Sequence, residues 1–209
     1  MADNYLEKKM EDYRASQPTK RRTATLRRLL QHNRSYRGYD NSFVVREDQL
    51  RRIIEVATLC PSARNQQVLR FRPVLKDESD KVLSHIRLGG ALPELHLPFP
   101  GSEPNAFVVI CSTVEESKYV DMDLGIVAQS MLLQATEIGL GGICIGAFDH
   151  EPIKEALNLP YEPLLVLAIG RPKESIELVE CHEGDSLTYY RNNDIHYVPK
   201  LSLDDLILK

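Results

Sequence analysis

The most regular hydrophobic pattern in the chain lies between residues 121 and 138. Leu124, Val127, Ala128, Met131, Leu132, Ala135 and Ile138 recur at the i, i+3, i+4, i+7 spacing of one helical face. Met122, Ile126 and Leu133 extend the apolar surface beyond that face, which predicts a helix buried nearly all round, in the core or at a subunit boundary. Asp121 and Asp123 suit the positive end of its dipole, and Gly139 suits its C-terminal cap. Residues 47–59 predict a one-sided helix, with Leu50, Ile53, Ile54, Ala57 and Leu59 inward and Pro61 as its stop. A narrow stripe of Tyr5, Leu6, Met10 and Tyr13 predicts a helix over 3–16 that lies on a neighbouring surface. Another helix is expected over 20–32 with Leu26, Leu29 and Leu30 inward, and shorter ones at 80–88 and 151–158.

Between these helices stand strand-like runs at 68–75, 106–112, 142–148 and 164–170, with an extended stretch at 175–180. The glycines of GLGGICIG follow a helix and precede a strand, the wrong order for a dinucleotide-binding turn, and Cys144 stands where that motif needs glycine. Gly146 interrupts the strand, a position that often marks close approach of a ligand or another backbone. Residues 89–105 carry Pro93, Pro98, Pro100 and Pro104, which exclude regular structure and suggest a rim or lid. The tail, ending in LSLDDLILK, is too apolar to hang free and is expected to dock on another surface, such as a second subunit.

Composition narrows the class. A chain of 209 residues, 43% apolar and 27% charged, suits one globular domain. A net charge of −4 argues against a surface devoted to nucleic acid. Lys20 to Arg37 contains seven Lys or Arg and no acid, a block that reads as a solvated helical face leading into a loop able to hold one phosphate. Cys60, Cys111, Cys144 and Cys181 form no C-x-x-C pair and read as buried small hydrophobes, with no metal site. The charged start lacks a signal-peptide core, and apolar runs are too short to span a bilayer, so a cytoplasmic location is expected and no membrane partner.

The candidate chemistry sits in two loops. CPSARNQQVLRF links a helix to a strand and places a hydroxyl, a guanidinium and three carboxamides between Ser62 and Gln67. NRSYRGY brings Arg34, Ser35 and Arg37 together at the end of the basic block.

These two loops, followed by GLGGICIG and HYVPK, resemble in order the FMN-dependent nitroreductase family, over about residues 24–207. The resemblance implies an α+β fold with a mostly antiparallel central sheet flanked by helices, in an intertwined homodimer with FMN at the subunit interface. It implies a flavin-binding domain over 24–209, preceded by an N-terminal helical extension over 1–23. Asn33, Arg34, Ser35 and Arg37 would lie at the flavin, with Arg34 and Ser35 toward phosphate and ribityl and Arg37 near N1 and O2 of the ring. Pro61, Ser62, Ala63, Asn65 and Gln67 match the segment that the other subunit lays against the ring. The backbone at Ile145 and Gly146 matches the amides facing N5 and O4. Lys200 is the first choice and His196 the second for a further phosphate ligand. The implied activity is an NADH- or NADPH-dependent FMN oxidoreductase that reduces nitro-compounds, quinones or related acceptors in a ping-pong cycle. No catalytic acid–base side chain is named, because the flavin carries the chemistry. A non-catalytic flavin-binding or flavin-delivering protein on the same fold is the alternative.

Overall fold

The computed structural model describes residues 25–90 and 95–208. The helix expected over 3–16, the first part of that expected over 20–32 and most of the N-terminal extension lie outside the described residues. Along the chain the elements are α1 (Leu26–His32), α2 (Glu47–Glu55), β1 (Leu69–Val74), α3 (Asp80–Leu83), β2 (Ala106–Ser112) and α4 (Lys118–Glu137). They continue with β3 (Gly141–Ile145), α5 (His150–Ala156), β4 (Glu162–Gly170), β5 (Ser175–Cys181), β6 (Tyr190–Asn192), β7 (Ile195–Leu201) and α6 (Leu203–Leu206). The central sheet has the order β1-β2-β4-β3 with each neighbouring pair antiparallel. A smaller sheet, β5-β7-β6, pairs β5 parallel and β6 antiparallel to β7. This is the expected α+β architecture.

The central sheet is covered on both faces, and β2 shows why its sequence is apolar throughout. Successive side chains of a strand point to opposite faces. Ala106, Val108 and Ile110 join Leu50 and Ile53 of α2 and Val127 and Met131 of α4 in one core. Phe107, Val109 and Cys111 join Val82 of α3, Phe148 just before α5 and Ile153 within it in a second. Each large side chain so buried stabilises the fold by about 1.5–3 kcal/mol. Among the described residues no helix is long and apolar enough to cross a membrane.

Several sequence expectations change in detail. Helix α4 begins at Lys118, because Ser117 Oγ accepts from Val120 N (3.5 Å) as an N-cap, and Gly139 takes φ +80° beyond its C-terminal end. One face of α4 is buried, but Met122 and Ile126 remain 53% and 41% exposed in the single chain, so it is not enclosed all round. Helix α2 passes into a 3₁₀ turn, Val56–Leu59, whose tighter winding shifts the phase of the apolar face and swings Leu59 out to 82% exposure. Leu26 and Leu30 face outward, since α1 has no buried residue. The helix expected over 80–88 stops at Leu83, and the strand expected over 142–148 stops at Ile145. Each gives way to an isolated bridge between Ile86 and Phe148, supported by Arg87 N to Ala147 O and Asp149 N to His85 O, both 2.9 Å. Of the cysteines, Cys111 and Cys181 are buried, Cys60 is half-buried and Cys144 is exposed. The tail is tied down through Ser202 N to Cys181 O (3.0 Å) and His182 Nδ1 to Asp205 Oδ2 (3.0 Å), while Leu203, Leu206 and Leu208 stay exposed.

Residues 33–40 cross the end of the central sheet and are held there by the strand glycines. A Cβ on Gly141 would lie 2.5 Å from Tyr36 Cδ2, and one on Gly170 2.6 Å from Tyr39 Cδ1. Tyr39 is 1% exposed and donates its hydroxyl to Tyr36 O (2.8 Å). Ser35 forms a parallel bridge with Gly142, and Tyr36 N donates to Gly142 O (3.2 Å). Gly170→Ala is therefore expected to overpack Tyr39 and lower unfolding free energy by about 1–3 kcal/mol. Gly90→Ala, whose added methyl meets nothing within 4 Å, should change it by no more than about 1 kcal/mol. Urea denaturation of the two variants beside the parent chain checks the difference.

Candidate functional site

Helix α1 ends at His32, and Asn33 N closes it on Leu29 O (2.8 Å). The chain then runs extended along the sheet end, which projects its basic side chains into a cavity of about 330 Å³. Six of the residues singled out from sequence line this cavity: Asn33, Arg34, Ser35, Arg37, His196 and Lys200. His196, Val198 and Lys200 alternate along β7 and so share one face of it. Both proposed tail residues therefore lie on the same wall, His196 buried and Lys200 exposed.

The polar groups of this cavity are incompletely satisfied. Arg34 Nη2 donates to Leu30 O (2.6 Å), and Arg37 Nη1 donates to Ser35 O (2.9 Å) with its guanidinium 5.0 Å from the Tyr189 ring centroid. Arg34 Nε, Arg37 Nε and His196 Nε2 are buried without a hydrogen-bond partner. Burial lowers the Arg34 pKa below the ordinary arginine value, and it is the neighbouring Tyr36 that offsets part of this. Buried unpaired donors cost free energy, so a wall carrying several of them suits an anion with many acceptor oxygens. The residues fit the phosphate end of a flavin nucleotide on that ground.

A carboxylate fixes the loop from behind. Glu174 accepts from Arg37 N and from Gly38 N (3.2 Å) through one oxygen, and from Arg191 Nη2 (2.6 Å) through the other. This pair is mostly buried, with side-chain exposures of 9% for Glu174 and 19% for Arg191. Nothing local in the sequence ties Glu174 to a loop so distant along the chain. Cys144, also on the cavity wall, was legible in principle. Ile143 and Ile145 face the core, so strand alternation puts Cys144 on the opposite side.

The other sequence-singled loop lies elsewhere. Pro61, Ser62 and Gln67 border a second cavity of about 800 Å³, walled by α2, β1 and the start of α4. Ala63 and Asn65 belong to the same turn, a 3₁₀ segment at Ala63–Asn65. Three non-glycine residues here have positive φ: Arg64 (52°), Asn65 (53°) and Gln67 (50°). Such conformations cost on the order of 1–3 kcal/mol each and persist only where surroundings impose them. The surroundings are specific. Ala63 N donates to Asp123 Oδ1 (2.8 Å), Gln67 N to Ser62 Oγ (3.2 Å), Gln67 Nε2 to Asn65 Oδ1 (3.0 Å) and Arg70 Nη1 to Gln67 O (2.9 Å). Asp123 is thus more than a dipole partner; it is buried and anchors the turn.

Within one chain the two clusters are not brought together. The turn meets α4 at Asp123, whereas the cationic cavity meets it at Gln129 and Leu132, about 9–14 Å further along the axis. Ile145 and Gly146 line neither cavity. Ile145 faces the core, and Gly146 is exposed with open space where a Cβ would stand.

Over 57 residues the chain is 44% identical to a protein of Methanocaldococcus jannaschii provisionally named a nitroreductase, a stretch covering 27% of this chain and 29% of that one. Over 167 residues it is 28% identical to an Archaeoglobus fulgidus protein provisionally named NADH dehydrogenase/NAD(P)H nitroreductase, covering 75% and 90% of the two. The solved structure of an FMN-dependent nitroreductase from Clostridium difficile R20291 superposes with a TM-score of 0.57 at 27% identity, over 70% of this chain and 87% of that one. The model of the Nitroreductase family matches residues 30–171, from the end of α1 through the strained turn and β3 to the end of β4. By that match, which takes in both loops and the whole central sheet, the chain belongs to the nitroreductase family.

Proposed function

We propose that this chain is an FMN-dependent NAD(P)H oxidoreductase, working as a homodimer and reducing nitro-compounds, quinones or related acceptors in a ping-pong cycle. The observation that carries the reading is the set of buried polar atoms without partners, the guanidinium donors Arg34 Nε and Arg37 Nε and the ring nitrogen His196 Nε2, on residues that line one cavity with Ser35 and Lys200. Bound flavin would supply the two-electron transfer, and the protein binds, orients and tunes it. Arg34, Ser35 and Lys200 would hold the phosphate and ribityl end. Arg37, whose guanidinium rests on Tyr189, would extend toward the ring. Asn33 lines the cavity where α1 ends, and the backbone at Ile145 and Gly146 would face the far edge of the ring system. The displacement of the strained turn from this cavity supports a site shared between two copies, in which Pro61 to Gln67 of one chain covers the flavin of the other. Exposed Met122 and Ile126 on α4, and Leu203, Leu206 and Leu208 in the tail, offer apolar surface for that association.

Purified protein should be yellow with bound FMN and oxidise NADH or NADPH when an acceptor is present. A yellow protein without turnover would instead favour a flavin carrier. Arg34→Ala should weaken FMN binding by roughly 1.5–3 kcal/mol, the scale of a lost charge-assisted hydrogen bond. Arg28→Ala, at an exposed position of α1, should stay within about 0.5 kcal/mol. Equal dissociation constants by fluorescence titration would refute the phosphate assignment. Arg37→Met should lower the two-electron midpoint potential of bound FMN by the equivalent of about 1–3 kcal/mol, with a smaller loss of oxidised-FMN affinity. An unchanged potential with FMN lost would make Arg37 a phosphate ligand. Sedimentation at low micromolar concentration should give one species of twice the chain mass, and an FMN-loaded monomer would rule out the shared site.

A further inference from the structure

His196 differs from the other groups of the cationic cavity. It is a titratable side chain only 3% exposed, and its Nε2 is buried without a partner. Its surroundings are electropositive on several sides. Arg34 and Arg37 face the cavity from the loop after α1, and Lys200 from β7 itself. Arg191 on β6 also acts on the ring, and Glu174, engaged by Arg191, is the opposing carboxylate. Tyr189 packs against the imidazole at 5.0 Å between centroids, and Cys144 completes the wall from β3. Burial first, then Arg37, lowers the His196 pKa, with Glu174 pulling the other way and Arg191 adding to the decrease. A proton on this ring is therefore disfavoured while the cations around it stand unneutralised.

We propose that His196 is the residue that makes this cavity selective for a phosphate monoester dianion, becoming protonated as the anion enters and donating Nε2–H to a phosphate oxygen. The inference rests on the reading of the cavity as a flavin-phosphate site. The dianion pairs with Arg34 and Lys200 and adds negative charge beside the ring, so its attraction for a proton there outweighs the repulsion from Arg37 and Arg191, although burial still opposes the charge. Protonation gives His196 a charge-assisted donor. The proton comes from solvent and remains on the imidazole, so one proton is bound with the ligand. Among the groups facing the ring, the imidazole is the one whose ordinary value lies between pH 5 and 8. Cys144 does not intrude, because desolvation by the surrounding wall raises its thiol pKa even though the residue keeps an exposed edge. A neutral flavin such as riboflavin provides no charge to drive the uptake.

Binding favours the protonated ring, so affinity falls as pH rises through the window between the free and the bound values. The phosphate's own second ionisation, near 6, is nearly complete above pH 7 and contributes little there. Titrating the full-length apoprotein with FMN from pH 7 to 8.5 should show the dissociation constant rising by up to tenfold per pH unit. Calorimetry at pH 7.5 in two buffers of different ionisation enthalpy should show uptake of a sizeable fraction of a proton with FMN and none with riboflavin. His196→Asn and His196→Gln should abolish both effects and reduce the preference for FMN over riboflavin by tenfold or more. Lys200→Met should weaken FMN binding while keeping the pH slope. If the parent protein binds FMN with no proton uptake and a flat profile, or if the slope survives in a folded His196 variant, the role of His196 is overturned and the flavin reading stands. If the parent protein binds no FMN at any pH, the flavin reading fails and this inference with it.

Discussion

The segment from Asn33 to Asp40 lies flat against the central sheet because two strand positions carry no side chain. The Tyr36 ring occupies the space a Cβ at Gly141 would need, and the Tyr39 ring that of Gly170. Close packing of this kind tolerates little extra volume, so the aromatic rings fix the height of the loop above the strands. Backbone bonds then fix its direction. Tyr36 N reaches Gly142 O, Asp40 N reaches Arg171 O (2.9 Å), and Lys173 N reaches Gly38 O (3.1 Å). The positions of Arg34, Ser35 and Arg37 all follow from this seating.

Holding several cations together under partial burial is costly, and the structure offsets the cost locally. Arg34 and Arg37 each give one amine to a main-chain carbonyl of their own segment. Glu174 supplies the compensating charge from the opposite side and is itself neutralised by Arg191, whose guanidinium lies 5.5 Å from the Phe99 ring in the proline-rich loop. The cavity thus keeps positive character while its frame remains paired. A hydrogen-bonded frame lined by cationic side chains is what preorganised anion binding requires, since less ordering remains to be done when the ligand arrives.

The turn after α2 follows a different physical logic. Its three left-handed residues are held by hydrogen bonds within the turn and by the carboxylate of Asp123. The strained backbone leaves Asn65 and Gln67 exposed. Strain kept under such constraint is usual where a segment must present itself in one shape. Because α4 carries Asp123 at one end and Gln129 and Leu132 further along, one helix sets the spacing between the turn and the cationic cavity.

The sequence by itself determined the elements whose pattern is local. The alternation in β1, the apolar runs of β2 and β4 and the 3.6-residue period of α4 were readable because burial acts on residues a few positions apart. The motifs NRSYR and HYVPK pointed to groups that do share a cavity, although they stand more than 150 positions apart in the chain. Tertiary structure decided what local pattern does not encode. It set the early end of α3, where bridging between Ile86 and Phe148 replaced helix. It turned Leu26 and Leu30 outward, because what lies opposite an apolar stripe depends on chain that arrives from elsewhere, and the 3₁₀ winding after α2 carried Leu59 out with it. It placed close approaches within the chain at Gly141, Gly142 and Gly170, where rings and a neighbouring strand press against the glycines. It assigned Asp123 and Glu174 as anchors, since a carboxylate selects its donors in space, and neither partner lies near it in sequence.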